Sequence, residues 1–134
     1  MLVLKNRNER TRHILASPFI ASVVIPLVFT DVWFEVYHHV CFPLYGIKMV
    51  DRKKYIKIDR HRLKYLKPIQ KVNCAYCGYA NGLVNYWVKI AGETEKYWCG
   101  IKHEKDSNFI PPKHHWEFAE YDDEKEFEKK YLSE

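Results

Sequence analysis

Ile14 to Thr30, ILASPFIASVVIPLVFT, is a run of 17 residues without a charge. As a helix it would be about 25 Å long, against a hydrocarbon core about 30 Å thick. Either a soluble core buries it or a membrane takes it. Pro18 and Pro26 predict a kink or a break. After Asp31 a second apolar stretch, Val32 to Ile47, is interrupted by Glu35, His38, His39 and Pro43. Basic residues flank the whole region, Lys5, Arg7, Arg10 and Arg12 before it and Lys48, Arg52, Lys53, Lys54 and Lys57 after it. Positive charge on both sides favours both ends on the cytoplasmic face of a membrane. Residues 14–47 are therefore expected as an apolar helical hairpin with Asp31 near the bend, or as an interfacial anchor. A cleavable signal needs a small-residue site beyond the apolar run, and Ala16-Ser17-Pro18 comes too early for one.

Asp31, Glu35, His38 and His39 recur at spacings of three and four, which puts them on neighbouring faces of one helix. Glu35-x-x-His38 has the spacing that supplies two ligands in di-iron bundles, but the chain holds no second such motif. The same four residues equally suit the wet polar stripe of an interfacial helix. They stand as a second polar site, where an enzyme acting at the interface would place acid–base or metal chemistry.

The densest chemistry lies further on. Cys74 and Cys77 form C-x2-C, and Cys99 and His103 form C-x3-H. Three thiolates and an imidazole make a complete tetrahedral set for zinc. Iron is the alternative, although one imidazole suits a thiolate cluster less well. Gly78, directly after Cys77, would let a knuckle curl around the ion. The i, i+4 spacing of Cys99 and His103 suits one face of a helix. Buried free thiols or a disulfide are the other readings of the cysteines.

Charge is divided along the chain. Residues 1–72 carry 14 Lys and Arg against 5 acids, and residues 73–134 carry 8 Lys against 12 acids. A basic part facing a polyanion and a separate acidic part follow. In the connector, residues 48–72, Arg52, Lys53, Lys54, Lys57, Arg60 and Arg62 alternate with tyrosines next to the apolar segment. That position favours anionic lipid headgroups over nucleic acid. Tyr55 to Ile58 could form a short strand, and Asp59 could cap a helix from Arg60 to Leu66. Asn81 could cap a helix reaching Trp98, weakened at Gly92. His114 and His115 are expected at the surface, because adjacent side chains point apart. Phe118, Tyr121, Phe127 and Tyr131 form a partial stripe for a C-terminal helix.

The runs DVWFEVYHHVCFPLYGI, YIKIDRHRLKYL, NCAYCGYANGL and TEKYWCGIKH resemble those of a bacterial family of small proteins. The resemblance covers most of residues 14–103. It implies a bacterial source and a unit joining the apolar segment to the cysteine module, and it implies no activity. The C-x2-C-G turn is also similar to the knuckles of rubredoxins and zinc ribbons. The second half departs from theirs, since it is C-x3-H.

A mainly α-helical chain is therefore expected, with at most a short strand. Its parts are a basic segment (1–13), an apolar membrane-associated hairpin (14–47), a basic connector (48–72), a small zinc-stapled helical module (73–110) and an acidic, helical tail (111–134). The expected role is non-enzymatic: a zinc-binding structural or interaction module on the cytoplasmic face of the bacterial inner membrane. Its partners would be anionic lipids and a protein, or a second copy of the chain. An iron-binding electron-transfer protein and an interfacial enzyme on lipid-linked substrates using Glu35 and His38 or His39 are the alternatives.

Overall fold

The computed structural model describes residues 7–132. The first six residues, including Lys5 of the basic segment, and the last two of the acidic tail lie outside the described residues. The elements are helical. Helix α1 spans Arg7–Ser22, α2 Val24–Tyr45, α3 Pro68–Trp98 and the short α4 Glu124–Phe127, with 3-10 turns at Arg52–Lys54, Arg60–Arg62 and Lys113–Glu117. A π turn, Glu128–Leu132, follows α4. The chain divides into two compact units, one ending at Trp87 and one beginning at Val88, so α3 contributes to both.

In the first unit, the break between α1 and α2 falls at Val23. Pro26 explains it: three residues on, it has no N–H for the Ser22 carbonyl, and its ring crowds that carbonyl. Val23 keeps helical angles, φ −61° and ψ −22°, so helical geometry resumes at once. The bend expected near Asp31 is not formed, and Asp31 lies inside α2. Pro43 is tolerated one turn from the end of α2. Gly46, at φ 68°, closes the helix by donating its N–H to the Phe42 and Pro43 carbonyls. Thr11–Tyr45 is a helical stretch of 35 residues, long and apolar enough to cross a membrane; its most apolar 18-residue window has mean hydropathy 1.9 and is not buried inside the protein. Phe19, Ile25, Phe29, Val32 and Trp33 are among its exposed apolar side chains.

Helix α3 starts where Pro68 presets φ at the first helical position. The Gln70 side chain reaches back to accept the Lys67 N–H at 2.8 Å. The helix is longer than its expected start at Asn81, and Cys74, Cys77 and Gly78 lie within it instead of forming a knuckle. Its glycines have a packing reason. A Cβ at Gly78 would stand 3.0 Å from the Lys57 carbonyl oxygen, and one at Gly82 would stand 2.7 Å from that of Tyr55 and 2.9 Å from Ile56 Cα. The connector backbone therefore lies directly on the glycine face of α3. Tyr55 to Ile58 pairs with no strand, and the helix expected over Arg60–Leu66 shortens to a 3-10 turn over Arg60–Arg62. Phe42, Leu83 and Tyr86 form the buried core of this unit.

In the second unit, Gly100 at φ 50° turns the chain out of α3. The segment after it runs beside Ala119: the Ala119 N–H donates to the Gly100 carbonyl at 2.8 Å, and the Lys102 N–H to the Ala119 carbonyl at 2.9 Å. Ile90, Phe118 and Ala119 are buried here. Phe118 is a core residue in the chain before α4, so the expected C-terminal stripe does not form on one helix. Asp123 caps α4 by accepting the Glu126 N–H, and Glu126 accepts the Glu120 N–H at 2.7 Å. Lys130 then donates to the Glu117 and Phe118 carbonyls, tying the tail to the turn before it.

Candidate metal centre

Among the described residues, two groups of side chains bring metal-ligand atoms within 4.8 Å of one another: Glu35, His38 and His39 in the first unit, and Glu95, His103 and His115 in the second. Their hydrogen bonding separates them.

In the first group, Arg52 donates to both Asp31 carboxylate oxygens, at 2.5 and 2.7 Å, and to Glu35 Oε1 at 2.7 Å. The Tyr79 hydroxyl donates to Asp31 Oδ2 at 2.8 Å. His38 is buried and saturated. The Val50 backbone N–H can only donate, so His38 Nε2, 3.0 Å away, accepts. The neutral ring then carries its proton on Nδ1, which donates to the Tyr86 hydroxyl at 3.0 Å. The Glu35 carboxylate acts on the Tyr86 phenol from close by. Burial and then Glu35 push the Tyr86 phenol well above its ordinary range, and burial and the Asp31 hydrogen bond raise that of Tyr79. Hydrogen bonds to Asp31 and Glu35 hold Arg52 firmly charged against the opposing effect of burial. A cation entering here would meet a guanidinium and would have to strip partners from His38. The spacing that suggested a di-iron half-site thus builds a hydrogen-bonded polar core. Arg52 is spent on that core, whereas Lys53, Lys54, Lys57, Arg60 and Arg62 stand exposed.

The second group is built differently. Glu95 lies in the last turn of α3. The 3-10 turn at Lys113–Glu117 presents two consecutive histidines to it: Nε2 of His114 lies 2.8 Å from Oε2, and Nε2 of His115 lies 3.0 Å from Oε1. Burial raises the Glu95 carboxyl, but the two imidazoles outweigh it and hold the group below its ordinary value. His114 sits on Gly92, where a Cβ would come within 2.9 Å of the ring. The glycine that weakens α3 is thus the seat of a histidine. His115 is 4% exposed, and its Nδ1 has no hydrogen-bond partner. The bridge at Ile101 and Ala119 brings His103 alongside, its ring centroid 5.4 Å from that of His115 and 5.0 Å from that of Phe109. A cleft of about 400 Å³ opens onto His103 and His115.

Two histidines and a carboxylate constitute a ligand set with open positions for zinc or iron. His114 and His115, expected at the surface, are instead half-buried and buried, because one carboxylate with two oxygens accepts from both.

The cysteines are divided. Cys74 and Cys77 belong to the first unit, and Cys99 and His103 to the second, so neither unit by itself assembles the four-residue set. All the cysteines are free thiols, with Cys77 and Cys99 exposed. Of the four expected ligands, His103 is the one that joins a ligand group within its unit. Neither a family model, nor a curated protein, nor a solved structure matches the chain.

Proposed function

We propose that this chain is a membrane-attached metal-binding protein, anchored by its N-terminal apolar helix and holding one divalent transition-metal ion through Glu95, His103 and His115. The observation that carries this reading is the convergence of Glu95, His103 and His115, each of which offers one ligand atom within 4.8 Å of the others. Zinc is the favoured ion, because a mixed imidazole and carboxylate set suits it; iron(II) is the alternative. His114, sharing Glu95, orients that carboxylate. The anchor rests on exposed apolar residues along Thr11–Tyr45, and the basic residues Lys53, Lys54, Lys57, Arg60 and Arg62 would lie against anionic headgroups. The positive flanks favour the cytoplasmic side.

A thiolate site of Cys74, Cys77, Cys99 and His103 is the competing reading, and it shares His103. Competition with a chromophoric chelator, on full-length protein in detergent, separates the two. His115→Ala should weaken zinc binding at least tenfold, while Cys74→Ser leaves it unchanged. The opposite pattern would replace the His/Glu centre by the thiolate one. Carbonate extraction of membranes tests the anchor: the chain should stay in the pellet.

A further inference from the structure

We infer that the metal centre takes an exogenous carboxylate with an apolar body from the neighbouring cleft; this rests on the metal reading above and assigns the class of its ligand. Three protein ligands leave at least one position open even on a four-coordinate ion. The cleft that reaches His103 and His115, about 400 Å³, is of the size that holds a small molecule. Its walls supply two chemistries. Phe109, Pro111, Pro112 and Trp116 give an apolar face. Trp116 is 76% exposed, a large ring held out beside the cleft without core packing to account for it.

The charged lining is three lysines, Lys102, Lys105 and Lys113, against Glu104 and Glu120. Lys102 is already paired with Glu120. Lys105 and Lys113 line the same cleft and enter no ion pair among the described residues. One divalent ion against the single Glu95 carboxylate adds further positive charge at the inner end. An anion is therefore drawn inward, with one oxygen for the metal and lysine ammonium groups beside it. Beside an apolar wall a singly charged carboxylate on a hydrophobic body costs less to desolvate than a phosphate, which carries close to two charges. Nothing in this assignment requires a bond to be made or broken; it names what occupies the open position.

The test uses the full chain in detergent, loaded with Co²⁺, whose visible bands report its coordination. Benzoate is the probe. The bands should shift saturably with benzoate, and acetate, lacking the apolar body, should require a higher concentration. In the double variant Lys105→Gln/Lys113→Gln the half-saturating benzoate concentration should rise roughly tenfold while the bands of the anion-free form stay the same. Absence of cobalt bands in the wild-type protein would overturn the metal reading and this inference with it. Bands that appear but ignore benzoate would overturn the inference alone, as would phosphate acting at lower concentration than benzoate. An unchanged benzoate titration in the lysine variant would overturn the part assigned to Lys105 and Lys113.

Discussion

Gly92 carries the ring of His114: a Cβ added to Gly92 would stand 2.9 Å from the His114 Cγ and 3.0 Å from its Nδ1. A glycine inside a helix costs about 1 kcal/mol relative to alanine. Without the histidine, Gly92→Ala would therefore stabilise α3. Here the sign should reverse, because the ring must leave Glu95 to make room. Gly92→Ala is expected to lower stability in urea unfolding by about 1–3 kcal/mol and to weaken zinc binding in parallel. A more stable variant with unchanged zinc affinity would contradict this seating.

Gly82 gives the corresponding prediction for the first unit. A Cβ there would come within 2.7 Å of the Tyr55 carbonyl oxygen, which belongs to backbone and cannot swing away. Gly82→Ala should separate the connector from α3 and destabilise the first unit by roughly 1–3 kcal/mol. Hydrogen exchange would report it as faster exchange at the Tyr55 and Ile56 amides, with little change in residues 113–120.

Arg52 is clamped between Asp31 and Glu35, and removing it leaves two carboxylates facing each other without a counter-charge. The Arg52 side chain is 35% exposed, so solvent recovers part of the loss. Arg52→Ala should cost about 2 kcal/mol, and Arg52→Lys nearly as much, because one ammonium cannot span both Asp31 oxygens. The additional change Asp31→Asn in the Arg52→Ala background should recover stability, as measured by thermal unfolding in detergent. Equal, additive losses would show that the two residues do not interact.

The phenols of Tyr79 and Tyr86 are both raised above their ordinary values. Their folded-state values exceed the unfolded ones, so the stability they contribute is complete below about pH 10 and declines as pH rises above it. A titration of phenolate absorbance should therefore show these two ionising after the exposed tyrosines, together with loss of the first unit. Tyr86→Phe removes one late-ionising group and leaves His38 Nδ1 without its acceptor. It should cost about 1–2 kcal/mol at neutral pH.

The sequence revealed local relationships and missed distant ones. Asp31, Glu35 and His38 could be grouped because helical spacing alone stacks them. Their true partner, Arg52, could not be assigned, since its approach depends on the turn after Gly46 and on packing against Gly78 and Gly82. The break near Pro26 followed from a missing N–H and a crowded carbonyl, whereas the expected bend at Asp31 relied on charge alone. The C-x2-C-G run matched a knuckle locally, yet the same glycine suits a helix when another backbone must lie against it. His103 was singled out by its spacing to Cys99. Glu95 and His115 were not: they meet it only through the Gly100 turn and the Ile101–Ala119 bridge, which have no periodic signal. The pair His114–His115 departs from the surface for a geometric reason: one carboxylate with two oxygens can accept from two adjacent imidazoles at once.

The most direct test of the metal centre is elemental analysis of the full-length protein purified in detergent without chelators, beside His103→Ala, His115→Ala and Cys74→Ser/Cys77→Ser. The centre predicts about one zinc or iron per chain in the wild-type and in the cysteine variant, with loss of the ion in both histidine variants. Retention of the ion in His115→Ala together with its loss from Cys74→Ser/Cys77→Ser would contradict the Glu95, His103 and His115 centre.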